Sequence, residues 1–330
     1  MTDAGRQDAS ANRQELERLT VLAFGAVIIL GGLNGIAGKQ ILRELEPFWS
    51  GVIRFAFAGL IMLAIAVATR RALPRGRSLL GAMAYGALGF ALTFGLFFTG
   101  LRDTPISTAA VFLALTPLMT FGLAIAHGQE RFRLQGLLGA LVAAVGVALI
   151  FADQLAANIP LGSLVLLLLG ALFLAETGVI VKLIPRSDPV GTNAVGMLTG
   201  CGILLLLSLF TAEPRGLPTE PITWAALVYL TTLGSVVLFG LFVYTLERWT
   251  ASAVSYSDLL IPLVTIAIAT LLTGERFTPW FLLGGGVVLA GVYIGSFLHL
   301  PRRRRATTSM PECLPIEERA STMPARGPDA

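Results

Sequence analysis

The feature that most constrains this chain is a series of apolar runs, each about 20 residues long, separated by short clusters of charged residues, Gly or Pro. A helical run of this length matches the ~30 Å hydrocarbon core of a bilayer. The runs are continuous rather than alternating in polarity, which favours α-helices over a β-barrel. Only 13% of the residues are charged, about half the usual fraction of a soluble domain. The sequence therefore predicts an all-α integral membrane protein.

Breaks between the runs divide the chain into ten predicted transmembrane spans. Residues 1–19 form a polar segment before the first span, and residues 299–330 are rich in Pro, Ser, Thr and charge, which predicts a disordered tail. The spans are residues 20–38, 48–68, 79–100, 104–126, 134–152, 161–182, 189–211, 222–246, 250–272 and 278–298.

The Lys and Arg residues are distributed unevenly over the two sides of the predicted spans. Eighteen lie on the side that holds both termini, and five lie on the other. Because positively charged short loops stay in the cytoplasm, both termini are predicted to be cytoplasmic. The quartet Arg302–Arg305, directly after the last span, fits an anchor beside anionic lipid, and no nucleic-acid partner is expected.

The two halves of the chain are related by an internal repeat at a shift of 145 residues. GFALTFGLF at Gly89–Phe97 falls on GSVVLFGLF at Gly234–Phe242, and Pro117 falls on Pro262. Each half holds five predicted spans, and because five is odd the second copy enters the bilayer from the opposite side. The predicted fold is therefore ten transmembrane helices in two inverted five-helix repeats.

The inverted repeats, residues 20–152 and 161–298, favour transport over other membrane functions. Inverted duplication is typical of secondary transporters, which bind substrate near the bilayer midplane and expose it alternately to either side. A membrane scaffold would gain little from inversion. The chain has no H-E-x-x-H, no G-x-S-x-G and no Cys/His cluster, so we expect no enzyme activity, no metal site and no cofactor.

Further details resemble one family. The fourth and ninth spans each carry a Pro thirteen residues before a Glu, and the fifth and tenth are the Gly-rich QGLLGALVAAVGVALI and FLLGGGVVLAGVYI. With the 5+5 duplication, these features resemble the EamA family of the drug/metabolite transporter (DMT) superfamily. The resemblance implies a bacterial inner-membrane permease with a central cavity, often an exporter of amino acids or related metabolites. Permeases of this fold for drugs, sugars or nucleotide sugars remain the alternative.

The stretch SYSDLLIP places a carboxylate, Asp258, inside the ninth span. Pro262 has no N–H to donate to the carbonyl of Asp258, four residues earlier. Ser255 lies one turn back on the same face and Tyr256 lies near it. The carboxylate of Asp258 and its unpaired backbone carbonyl are two oxygen acceptors close together, so they favour a cation. That cation could be a proton, a sodium ion or a substrate ammonium. The alternative is a neutral Asp258 hydrogen-bonded to a neighbouring helix.

Three more polar residues lie within predicted spans, where ionisable groups usually face a cavity or a partner. Glu176 either shares a cavity with Asp258, exchanging protons, or reaches the cytoplasmic interface. Arg54 could snorkel outward to the interface. The resemblance to the EamA family, in which a basic residue is common at this place, implies instead that Arg54 binds a substrate carboxylate or takes part in gating. Asn34, beside Gly35, offers amide hydrogen bonds or only helix packing.

Two further expectations concern motion and assembly. Pro117 and Pro262 are predicted hinges, because each removes one backbone hydrogen bond from its helix. The Gly291-x-x-x-Gly295 face permits close helix contacts, either inside the chain or in a homodimer. The expected partners are thus a small-molecule substrate, the lipid bilayer, protons as a coupling ion and a second copy of the chain.

Overall fold

The computed structural model describes residues 3–104, 109, 112–150, 160–185, 187–273 and 279–296. The regular structure of these residues is helical. The predicted tail at residues 299–330 lies outside the described residues, as do the ends of several predicted spans.

Ten apolar helices of the described residues match the ten predicted spans and confirm the predicted fold class. Six of them are long and apolar enough to cross a bilayer, and shorter apolar helices make up the other four within the described ranges. They are α1 (Asp3–Ile41), α2 (Pro47–Ala68), α3 (Arg77–Arg102), α4 (Phe112–Ala126), α5 (Leu134–Ile150), α6 (Leu161–Leu183), α7 (Pro189–Phe210), α8 (Pro221–Leu246), α9 (Ala251–Ser255 continued by Ser257–Thr273) and α10 (Pro279–Ser296).

Helix α1 begins well before the first predicted span. It starts at Asp3 and continues without a break to Ile41, whereas hydropathy placed the start at residue 20. The polar segment consists largely of Ala, Gln, Glu, Arg and Leu, which are good helix formers, and has no Pro. Hydropathy detects the apolar part of a helix, so the polar extension is not visible to it.

The packing of the helices follows the repeat. Helix α1 packs on α8 and α9, and its counterpart α6 packs on α3 and α4. Helix α2 packs on its own counterpart α7, and α5 packs on its counterpart α10. Each of these contacts maps onto another, or onto itself, when the halves are exchanged. This is the pattern expected of two copies related by an approximate two-fold axis.

Helices α5 and α10 approach each other through glycines. A Cβ on Gly139 would lie 2.5 Å from the Cα of Gly295, and a Cβ on Gly291 would lie 2.5 Å from the backbone nitrogen of Ala143. Only glycine permits backbones this close. The Gly291-x-x-x-Gly295 face is therefore used inside the chain, and it does not provide a surface for the expected homodimer.

Both third helices of the repeats contain a π-helical turn at the same repeat position. In α3 it spans Gly86–Leu92, and in α8 it spans Thr232–Val237. Such a turn widens the helix and often occurs at functional sites. Because both copies keep it, the turn belongs to the repeated fold.

The two lysines of the chain have equivalent roles at the ends of these helices. Lys39 Nζ donates to the carbonyls of Leu101 at 2.7 Å and Thr104 at 2.9 Å, after the last turn of α3. In the other repeat, Lys182 Nζ donates to the carbonyl of Trp249, after the last turn of α8. A cation satisfies carbonyls that a helix leaves unpaired at its C-terminal end.

Candidate functional site

A cavity of about 530 Å³ lies among helices from both repeats. Its lining residues on α1 run from Val27 to Lys39, a rise of about 18 Å along the helix. Lys39 and Leu101 bring the cavity to the end of the protein where α1 and α3 finish. Its size falls within the usual range for small-molecule sites, roughly 300–1,000 Å³.

Phenylalanines from both repeats form much of the wall. The ring of Phe94 packs edge-on against Phe239, with centroids 5.9 Å apart. Phe97, Phe98 and Phe242 line the same space. The cavity is therefore largely apolar, so any polar group in its wall strongly affects what it can bind.

Arg54 is the buried basic residue of this cavity wall, with 1% of its surface exposed, whereas Lys39 lies at the outer end. Its Nε donates to Ser235 Oγ at 2.8 Å and its Nη2 donates to the Gly234 carbonyl at 2.9 Å. The guanidinium carbon lies 4.8 Å from the centre of the Phe94 ring. Within the described residues Arg54 has no carboxylate partner, and Nη1 has no hydrogen-bond partner. Arg54 thus lies in the cavity wall rather than snorkelling to the surface.

Asn34 also lines the cavity and shares an acceptor with Arg54. Its Nδ2 donates to the Gly234 carbonyl at 3.1 Å, and its Oδ1 is buried without a partner among the described residues. Gly234 and Ser235, in the π-turn of α8, were not identified from the sequence. Ser235 stands where the first repeat has Phe90. The polar difference between repeats that drew attention to Asp258 would have found Ser235 too.

Asp258 faces the same cavity from the other repeat. Helix α9 is interrupted at Tyr256, and Asp258 lies in the first turn of the segment that begins at Ser257. A carboxylate in the first turn of a helix is stabilised by the helix dipole. Asp258 makes no hydrogen bond or ion pair within the described part of the chain. Pro262 lies one turn further on and also lines the cavity.

The structure does not bring Ser255 and Tyr256 to the cavity with Asp258. Ser255 Oγ donates to the Ser252 carbonyl at 2.9 Å. The Tyr256 hydroxyl points to α5, where it lies 3.5 Å from the Gly136 carbonyl. The sequence reasoning assumed a continuous helix that would hold Ser255 on the face of Asp258. The interruption at Tyr256 removes that relation.

Glu176 is not among the residues that line the cavity. Its Oε1 lies 3.3 Å from His127 Nε2, at the end of α4, while His127 Nδ1 lies 2.9 Å from the Leu123 carbonyl. Each ring nitrogen of His127 thus faces an oxygen atom, one from the side chain of Glu176 and one from the backbone of its own helix. The predicted sharing of one cavity by Glu176 and Asp258 is not seen.

The two repeated prolines occupy different local positions. Pro117 lies in the first turn of the helical segment Thr116–Ala126, after a turn at Leu115, whereas Pro262 lies inside α9. Neither has a backbone N–H, and the hinge prediction rests on this missing donor. That prediction concerns motion and stays a prediction.

A second cavity, of about 550 Å³, lies at the C-terminal ends of α6 and α8. Lys182 and Leu246 line it, and the repeat relates them to Lys39 and Leu101 of the first cavity, at a shift of 143 residues for the lysines and 145 for the leucines. Neither cavity holds a metal-binding group of residues: the described ranges contain no cluster of three or more His, Cys, Asp or Glu side chains.

Comparison with known proteins agrees with this architecture. The uncharacterized transporter YyaM of Bacillus subtilis is 27% identical over 285 residues, which span 84% of this chain and 92% of YyaM. A protein of Streptantibioticus cattleyicolor described as a "Probable terminal-alkyne amino-acid exporter" is 28% identical over 296 residues, 87% of this chain and 92% of that protein. The uncharacterized inner membrane transporter YedA of Escherichia coli K12 is 25% identical, over 82% of this chain and 89% of YedA.

A solved structure superposes with a TM-score of 0.72 at 16% identity, over 84% of this chain and 96% of the other. At this identity the likeness shows the fold alone. The profile of the EamA-like transporter family matches residues 18–152 and 161–297, one match in each half of the chain. The chain is a multi-pass membrane protein that belongs to the EamA-like transporter family.

Proposed function

We propose that this transporter exports a small amino acid or a closely related metabolite by alternating access. The observation that carries the proposal is a single membrane-embedded cavity that contains both Arg54 and Asp258, neither with an ion-pair partner among the described residues. An unpaired charge inside a membrane protein is costly and usually marks a site of function. Lys39, at the outer end of the cavity, is held by backbone carbonyls, so Arg54 and Asp258 leave the inner part with one group of each sign. Such a site suits a zwitterion better than a neutral or singly charged molecule.

The roles of the two charges follow from their chemistry. The guanidinium of Arg54 binds the substrate carboxylate through donors that match its oxygens. Asp258 takes up and releases the proton that couples transport to the membrane gradient. The relative from Streptantibioticus cattleyicolor supports an amino-acid-like substrate, since its printed description is that of an amino-acid exporter.

The direction and location rest on charge and on likeness. With both termini in the cytoplasm, as the distribution of Lys and Arg favours, the end of the cavity near Lys39 faces outward. Release to the outside then corresponds to the conformation described. The Escherichia coli relative, described as an inner membrane transporter, supports the bacterial inner membrane as the location.

Flux through purified protein in lipid vesicles tests the proposal. Full-length protein is reconstituted, and the uptake of radiolabelled amino acids, sugars and cationic drugs is measured with and without a pH gradient. We expect saturable uptake of at least one amino acid that unlabelled amino acid competes away. Saturable flux of a sugar or drug with none for any amino acid would overturn the assigned substrate class.

A further inference from the structure

Two buried polar atoms in the wall of the first cavity lack a hydrogen-bond partner among the described residues. One is a donor, Arg54 Nη1, and the other is an acceptor, Asn34 Oδ1. The two side chains converge on one atom, because the Gly234 carbonyl accepts from both Arg54 Nη2 and Asn34 Nδ2. The side chains that carry the unmet donor and the unmet acceptor are therefore neighbours. Leaving both unmet is costly unless a ligand supplies the missing partners.

The π-turn of α8 holds these two side chains in place. Ser235 Oγ accepts from Arg54 Nε and donates to the Leu230 carbonyl at 2.7 Å, so it fixes the guanidinium to the helix. A Cβ on Gly234 would overlap Asn34 Oδ1. Glycine at this position is thus a condition for the placement of Asn34.

The geometry points to a head-group site for an α-amino acid, formed by Asn34, Arg54, Gly234 and Ser235. The substrate carboxylate accepts from Arg54 Nη1, and the substrate ammonium, attached to the same carbon as the carboxylate, donates to Asn34 Oδ1. This inference rests on the proposed function and deepens it. It assigns the ammonium to Asn34, so Asp258 remains free to carry the coupling proton.

The walls of the cavity define the rest of the substrate. Phe97, Phe239 and Phe242 line the space around the head-group site, so they favour an apolar side chain. In the conformation described, neither unmet atom is in contact with water-accessible space, and the Phe94 ring lies over the guanidinium. Access of the substrate carboxylate to Arg54 Nη1 therefore requires Phe94 to rotate toward the open cavity volume, after which its ring adds to the apolar wall.

Binding of three matched probes tests the assignment of the ammonium. Leucine carries both head groups, isocaproate lacks the ammonium and isoamylamine lacks the carboxylate. Their affinities for the purified full-length protein are measured by calorimetry. Since a hydrogen bond to a charged group contributes roughly 1.5–3 kcal/mol, wild type should bind leucine about tenfold or more tightly than either analogue.

The variant Asn34→Ala should remove only the contribution of the ammonium. We expect its affinity for leucine to fall to that for isocaproate, with the affinity for isocaproate unchanged. Equal losses for leucine and isocaproate would overturn the inference. A second outcome would also overturn it. If Asp258→Asn abolished the preference for leucine over isocaproate while Asn34→Ala retained it, the ammonium would lie at Asp258.

A matched pair of glycine variants tests the role of the π-turn. Gly234→Ala should weaken the binding of both leucine and isocaproate, because the added methyl group displaces Asn34 and the carbonyl that holds Arg54. Gly89→Ala occupies the same repeat position in α3, where a Cβ would meet Thr177 Cγ2 at 2.7 Å. It should keep the ratio of the leucine and isocaproate affinities. Equal loss of that ratio in both variants would contradict a positioning role for Gly234.

The same measurements separate this inference from the proposed function. Leucine that binds with the expected pattern but is not carried across vesicles would overturn the proposed function and leave the head-group site intact. Leucine transport whose preference over isocaproate is unchanged in Asn34→Ala would overturn the head-group site and leave the proposed function intact.

Discussion

At the level of single residues, Asp258 and Glu176 are two membrane carboxylates in different surroundings. Asp258 faces the cavity without a hydrogen-bond partner among the described residues, whereas Glu176 is outside the cavity and faces His127. The sequence makes both of them candidates, with Asp258 the leading one, because each is an acidic residue in an apolar span and is present in one repeat only. Their surroundings depend on which helix each one faces, and hydropathy carries no information about that.

The variant Asp258→Asn should separate coupling from substrate movement. The amide cannot exchange a proton, so we expect uptake driven by a pH gradient to fall by about tenfold or more, a loss of coupling rather than of binding. Exchange of labelled for unlabelled substrate without a gradient should continue at a rate close to that of wild type. Both rates are measured in the same vesicles. Loss of exchange together with driven uptake would contradict a role confined to the proton.

Glu176→Gln is the matched comparison. Because Glu176 is away from the cavity, we expect the KM for substrate to remain within about twofold of wild type and driven uptake to continue. The contact with His127 is partly exposed, and such a pair contributes at most about 1 kcal/mol to stability. Substrate saturation curves and thermal melting measure the two effects. A loss of driven uptake as large as that of Asp258→Asn would show that Glu176 carries the proton.

At the level of helices, the ends of the spans were predictable and their interruptions were not. Eight of the ten predicted spans begin within two residues of the helix observed, since hydropathy and the Gly, Pro and charged residues at the ends act locally. The π-turn that contains Gly234 and the interruption at Tyr256 lie at contacts with other helices. Gly234 touches Asn34 of α1, and Tyr256 packs toward α5. The residues in contact are 200 and 120 positions apart in the chain, so a local pattern cannot show these contacts.

The glycine contact between α5 and α10 predicts a position-specific loss of stability. Gly291→Ala places a methyl group against the backbone of Ala143, and overpacking of this kind costs about 1–3 kcal/mol. Gly286, on the same helix, has no atom of the described residues within 4 Å of its Cβ position. Gly286→Ala should therefore leave stability unchanged or raise it by up to about 1 kcal/mol, because alanine restricts the unfolded chain more than glycine does. Melting temperatures of the two variants in one detergent provide the test, and equal melting temperatures would contradict the close packing.

The contribution of Glu44, in the loop between α1 and α2, to the stability of the fold should not depend on pH near neutrality. Glu44 accepts from Thr219 Oγ1 at 2.6 Å, and hydrogen bonds from the side chains of Thr219 and Thr223 lower the pKa of Glu44 to about 2. A lowered pKa stabilises the fold above the unfolded-state value of 4.5, and this stabilisation is lost as the pH falls toward 2. The melting temperatures of wild type and Glu44→Gln should thus differ by a constant amount between about pH 5 and 8 and converge in stronger acid. A difference that changes around pH 7 would contradict this assignment.

At the level of the whole molecule, the repeat relates a cavity-lining position to a buried one. Ile36, near the end of α1, lines the first cavity and is partly exposed. At a shift of 143 residues the repeat places Val179 at the equivalent position, where it is fully buried in a cluster with Leu246 and Val254. If the halves exchange conformations, as inverted repeats permit, the Val179 cluster opens and the space beside Ile36 closes.

Reciprocal labelling of these two positions tests the exchange. Ile36→Cys and Val179→Cys are each introduced after the native Cys201 and Cys313 have been replaced by alanine, and membrane-impermeant thiol reagent is applied from either side. In the conformation described, Ile36→Cys should react from the outside and Val179→Cys should be protected. Conditions that favour the other conformation, such as saturating substrate on the cytoplasmic side alone, should slow the reaction at Ile36→Cys and speed that at Val179→Cys. Because one equilibrium controls both ends, the two changes must occur together. A reaction at Val179→Cys that rises while that at Ile36→Cys stays constant would show a channel-like opening and contradict alternating access.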